Sequence, residues 1–64
     1  MKDSNNQSHA KLVVHTDRGE AVMYFNYDGY LLESSGIRGP GHNSLTKTRD
    51  WARREGYPHE VIML

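Results

Sequence analysis

The chain has no cysteine, which excludes a disulfide framework and any thiolate-ligated metal and leaves its four histidines as the only nitrogen ligands. It has no excess of charge either: eight basic residues meet eight acidic ones, so overall composition points neither to nucleic acid nor to a membrane surface. Long apolar runs are also missing. The longest, Val61-Ile62-Met63-Leu64, is far short of the roughly 18 residues that span a bilayer, and no basic-then-apolar leader opens the chain. A cytoplasmic location with no membrane partner is expected. Only 36% of the 64 residues are hydrophobic and the mean hydropathy is -0.81. A chain of this size buries about 60% of its unfolded surface and has room for one thin core worth about 3–5 kcal/mol net.

What is present divides into a polar lead and one patterned domain. Residues 1–10 carry Ser4, Asn5, Asn6, Gln7 and Ser8 without apolar periodicity, the composition of a disordered tail. Residues 11–64 then form a single small domain. Three stretches rich in Val, Tyr, Phe and Leu are separated by Asp17-Arg18-Gly19-Glu20 and by Asp28-Gly29, the pattern of an antiparallel three-stranded meander. Asp28-Gly29 suits a two-residue type I′ turn, which needs positive φ at both central positions. It places Tyr27 opposite Tyr30, Phe25 opposite Leu32 and Met23 opposite Ser34. A first hairpin pairing Asp17 with Glu20 sets Val14 against Met23 and Leu12 against Phe25. The inner face then reads Leu12, Val14, Met23, Phe25, Tyr27, Tyr30 and Leu32, and the outer face Val13, His15, Val22, Tyr24, Asn26, Leu31 and Glu33.

Gly36, Gly39, Pro40 and Gly41 interrupt regular structure. A helix follows from Leu45 to Glu55, capped by Asn43 or Ser44 and stopped by Gly56 and Pro58. Its apolar side, centred on Trp51, covers the inner face, while Asp50 is placed to pair with Arg54 and Lys47. His59–Leu64 reads as a last strand buried on both faces, lying either parallel to the third strand or beside the first. The expected class is α+β, ordered β-β-β-α-β, with one helix on one face of the sheet. An apolar final strand needs its edge paired. That need, with the apolar outer face, raises the expectation of a homodimer or a protein partner.

Chemistry has few seats in this pattern. The histidines His9, His15, His42 and His59 form no metal-ligand spacing, Asp17, Glu20 and Asp28 fall at turns, and no nucleophile motif appears. The expectation is no enzyme, no cofactor and no metal. The glycine loop Gly36–Asn43 running into a helix N-terminus could hold a phosphate, although the spacing is not that of a P-loop. Between residues 37 and 54, Arg38, Lys47, Arg49, Arg53 and Arg54 face Asp50 alone, a local net charge of plus four. Such a basic helix beside a glycine loop can track a nucleic-acid backbone. Val13, Val22, Tyr24 and Leu31 form the competing candidate, an apolar outer patch of the kind that takes a protein partner.

The ending Gly56-Tyr57-Pro58-His59-Glu60-Val61-Ile62-Met63-Leu64 resembles the tails of some small phage-encoded anti-CRISPR proteins, which close on Gly-Tyr-Pro followed by an apolar strand. The resemblance implies a non-catalytic inhibitor from a phage or mobile element, acting in a bacterial host by blocking a host protein complex through a sheet face or edge. The alternative from the charge pattern is a small nucleic-acid-binding module.

Overall fold

The computed structural model describes residues 7–64. Residues 1–6 of the expected tail lie outside the described residues. Four strands and one helix follow in the order β1 (Ala10–Thr16), β2 (Gly19–Phe25), β3 (Leu31–Gly36), α1 (Leu45–Glu55) and β4 (His59–Met63). All neighbouring strands are antiparallel, in the spatial order β3-β2-β1-β4. The chain is thus α+β, with the three-stranded meander extended by β4 along the free side of β1. The ladder starts before the expected domain boundary. Ala10 already pairs with Phe25 and Met63, and the His9 amide donates to the Phe25 carbonyl while its own carbonyl accepts from Leu64.

Side-chain capping sets both hairpin registers, and in each it displaces the expected turn. At the first, Thr16 Oγ1 accepts the Arg18 N–H at 3.1 Å and donates to the Gly19 carbonyl at 2.8 Å. This closes the turn on Asp17-Arg18, so Leu12 pairs with Met23, Val14 with Ala21 and Thr16 with Gly19. The register differs from the expected one by two residues, a slip that leaves every side chain on its anticipated face.

At the second hairpin Asn26 replaces the type I′ turn with a longer loop. Its carbonyl accepts the Gly29 N–H, its amide donates to the Tyr30 carbonyl, and its side chain accepts the Tyr30 N–H, each at 2.9 Å. Of the two turn residues only Gly29 takes a positive φ, +87°. The added loop residue is offset within β3, where the register shifts between Tyr24 and Phe25. Phe25 consequently pairs with Leu31 and not Leu32, while Met23 still meets Ser34. Three inner-face assignments change as a result. Tyr27 and Tyr30 stand exposed at the tip, Leu32 turns outward, and Leu31 packs against the core in its place.

The core is Leu12, Val14, Ala21, Met23, Phe25 and Ala52, ringed by Leu31, Ile37, Leu45, Trp51, Tyr57 and Val61. Helix α1 meets the sheet through Thr48 and Ala52, both completely buried. Trp51 lies at the margin of this contact, edge-on to Tyr57 with ring centroids 5.6 Å apart. Ala52 joins the sheet's core cluster as a small residue, and the bulky indole packs against that cluster from its side.

The helix is tied down at both ends. Ser44 caps it, accepting the Lys47 N–H, and Gly56 at φ +78° sends its N–H to the Ala52 and Arg53 carbonyls. The start is pinned to the hairpin tip, because the Leu45 N–H donates to the Gly29 carbonyl at 2.8 Å and the Leu31 N–H to Asn43 at 2.7 Å. β4 is not buried on both faces: Val61 faces the core, whereas Ile62 is 38% and Met63 62% exposed. Among the described residues its outer edge has no neighbouring strand, because β4 ends the sheet.

Candidate functional site

Among the described residues, the helix covers one side of the sheet and leaves the other bare. Alternation from the observed ladders puts Lys11, Val13 and His15 of β1, Glu20, Val22 and Tyr24 of β2, Glu33 and Ser35 of β3, and Glu60 and Ile62 of β4 on that side. Val13 lies at its centre, only 8% exposed although no element among the described residues lies over it. Its shielding comes from neighbours in the sheet. Val22 stands opposite it on β2 and Glu60 opposite it on β4, with half-buried Tyr24 alongside.

Polar groups frame this strip. His15 Nδ1 lies 3.1 Å from Glu20 Oε2, and Lys11 Nζ sits 5.8 Å from the centre of the Tyr24 ring, within the reach of a cation–π contact. Glu33 stands opposite Tyr24. The surface is therefore an apolar and aromatic strip with carboxylates at Glu20, Glu33 and Glu60 around it.

Of the four residues expected to form the outer patch, the structure brings Val13, Val22 and Tyr24 together and removes Leu31. The bulge rotates Leu31 to the helix side, where it packs on the core. Asn26, also expected on the outer face, is the buried anchor of the second hairpin. Lys11 and Ile62 belong to the outer face and were not anticipated. Lys11 could have been found by extending the alternation of β1 by one step, but Ile62 joins only because β4 pairs with β1.

The opposite side of the domain carries the cations. Lys47, Arg49, Arg53 and Arg54 are all exposed on the outward side of α1, and Asp50 lies among them. Its partner is Arg53, at 3.1 Å, and not the Arg54 and Lys47 anticipated. A shallow cleft of about 310 Å³ is lined by His42, Lys47, Asp50 and Arg54, and another of about 130 Å³ by Thr46, Arg49, Asp50 and Arg53. Arg38 borders a third, of about 160 Å³, beside β3, which it shares with His42. His42 thereby links Arg38 to the helix, a connection the sequence pattern did not signal.

The glycine loop has less to offer an anion than its composition suggested. Three first-turn amides are committed within the protein: Leu45 to the Gly29 carbonyl, Lys47 to Ser44 Oγ and Thr48 to the Ser44 carbonyl. The chain matches no family model, no curated protein and no solved structure. Its surfaces must be read on their own chemistry.

The histidines are dispersed. His9 packs edge-on to Tyr27, His15 pairs with Glu20, His42 lies near Lys47, and His59 Nδ1 is 2.9 Å from the Tyr57 carbonyl. No group of three or more His, Asp or Glu side chains able to hold a metal occurs among the described residues. No helix among them is long and apolar enough to cross a membrane.

Proposed function

We propose that the chain is a non-catalytic binding protein of phage or mobile-element type that blocks a host protein complex by docking its uncovered sheet face. The observation that carries this reading is the bare side of the sheet, where Val13, Val22 and Tyr24 form one strip with Glu20, Glu33 and Glu60 around it. Apolar side chains at the centre and charges at the rim are the arrangement that supplies buried area and orientation in protein interfaces. The carboxylates favour a partner whose complementary patch is apolar at its centre and bears lysine or arginine around it. The anti-CRISPR resemblance of the last nine residues supports the same class of action.

The test is capture of a defined protein from bacterial lysate, compared between wild type and Tyr24→Asp. Half-buried Tyr24 can accept a carboxylate without disturbing the core, so far-UV circular dichroism should be unchanged while capture is lost. Glu33→Lys should weaken capture through the rim. Retention of the same partner by both folded variants would refute the assignment. Pairing of the open β4 edge with a second copy, the homodimer reading, would appear as a doubled mass in light scattering.

A further inference from the structure

The side of the domain away from the bare sheet face has a charge pattern that protein docking does not use. Helix α1 presents Lys47, Arg49, Arg53 and Arg54 to solvent. Arg49 and Arg53 are four residues apart, about 6 Å along the axis, and Lys47 and Arg54 are seven apart, about 10 Å. The members of each pair share one flank of the helix, and the two flanks lie about 130° apart around its axis with Asp50 between them. His42 borders the Lys47–Arg54 cleft and also the cleft of Arg38, so the cations continue past the helix start to the edge of β3. Only Asp50 interrupts them, and it is engaged by Arg53.

The carboxylates Glu20, Glu33 and Glu60 lie on the opposite side of the sheet. The bare face therefore sets three carboxylates against Lys11, whereas the helix side sets Arg38, Lys47, Arg49, Arg53 and Arg54 against Asp50 and Glu55. We infer that the Arg38–His42–α1 surface is a second, independent binding site that takes the phosphate backbone of a nucleic acid. The cations are exposed and spread over both flanks of the helix without an enclosed pocket, which suits a repeating polyanion better than a single small anion. The acidic face opposite repels the same ligand and confines it to the helix side.

The experiment is fluorescence anisotropy with a labelled DNA duplex of about 20 base pairs, titrated across a series of salt concentrations. If Arg38, Lys47, Arg49, Arg53 and Arg54 make four to five phosphate contacts, log K falls against log salt with a slope of about -4. Arg49→Ala with Arg54→Ala should reduce that slope by about 2, since each lost contact accounts for about 0.9. Asp50→Asn should tighten binding at low salt by about 3-fold, by removing its carboxylate and releasing Arg53. That gain is not something a purely structural role for Asp50 would produce. Tyr24→Asp and Lys11→Ala, on the far side, should leave the duplex affinity within about 2-fold, which separates this site from the sheet-face reading. Absence of binding at low salt, or an unchanged slope in the double arginine variant, would overturn the inference. So would equal competition by poly-glutamate at matched charge, which would assign the surface to an acidic protein instead.

Discussion

Replacing Gly36 by alanine should nearly unfold this domain, whereas the same change at Gly41 should cost distinctly less. Both glycines have left-handed backbones, with φ of +80° and +85°, so an L-residue costs about 1–2 kcal/mol at either. Alanine returns about 0.4–1 kcal/mol at both by restricting the unfolded chain. The difference lies in the surroundings. A methyl group on Gly36 would be driven into the Glu20 carbonyl oxygen, while one on Gly41 meets nothing within 4 Å.

That carbonyl already accepts the Ile37 N–H at 3.0 Å. Pushing it aside forfeits a hydrogen bond of about 1 kcal/mol and strains the β2–β3 ladder by about 1 kcal/mol or more. The sum for Gly36→Ala is about 2–4 kcal/mol, most of the net stability expected of so small a core. For Gly41→Ala the same two terms leave about 0–1.6 kcal/mol. Urea unfolding followed by the fluorescence of the single tryptophan, Trp51, resolves the two. With m near 1 kcal/mol/M, the midpoint should fall by about 2 M or more for Gly36→Ala and by about 1.6 M or less for Gly41→Ala. Equal shifts would refute the close approach of β3 to the Glu20 carbonyl.

Asn26→Ala should cost about 1–2 kcal/mol by leaving the Tyr30 N–H without its side-chain acceptor, while Asp28→Ala, at the exposed tip, should cost under about 0.5 kcal/mol; the opposite ranking in urea would restore the Asp-Gly turn as the organiser of the hairpin. Thr48→Val removes the hydroxyl that donates to the Ser44 carbonyl at 2.8 Å, yet that carbonyl keeps the Thr48 N–H, so the loss should stay near 0.5–1 kcal/mol, and a loss above about 3 kcal/mol would show that the packing at this site had been misjudged. Burial, and then the carboxylate of Asp17, hold the Tyr57 hydroxyl above its ordinary pKa of 10.0; because the folded value is the higher one, this contribution to stability is complete below about pH 10 and is lost as the pH rises through the elevated value. Absorbance at alkaline pH should show one tyrosine ionising late, and Asp17→Asn should bring it earlier; no response to that substitution would remove Asp17 as a cause.

The fold class and the element order were legible because each rests on local chemistry. Asp17-Arg18-Gly19 and Asp28-Gly29 mark turns, Ser44 and Gly56 mark the ends of the helix, and alternation along β1 and β2 separates Leu12, Val14, Met23 and Phe25 from Val13, Val22 and Tyr24. Side-chain parity survives a two-residue error in register, which is why the faces of β1 and β2 came out correctly although the first hairpin did not. The basic cluster, too, could be read directly from residue types.

Tertiary structure decided what depends on groups far apart or on competing hydrogen bonds. Thr16 and Asn26 use their side chains to close longer or shorter loops than the turn dipeptides suggest. The added residue at the second hairpin had to be absorbed within β3, and that exchanged Leu31 for Leu32 in the core. β4 could have lain against either edge of the meander. Its place beside β1 is held from Pro58, whose carbonyl accepts the His15 N–H, to Leu64, whose amide donates to His9. That placement brought Ile62 and Glu60 onto the bare face, where Glu60 joins Glu20 and Glu33 on the side away from the basic helix. A linear sequence shows both signs of charge, but only the packing of the helix against one face sets its lysine and arginines on the side away from Glu20, Glu33 and Glu60.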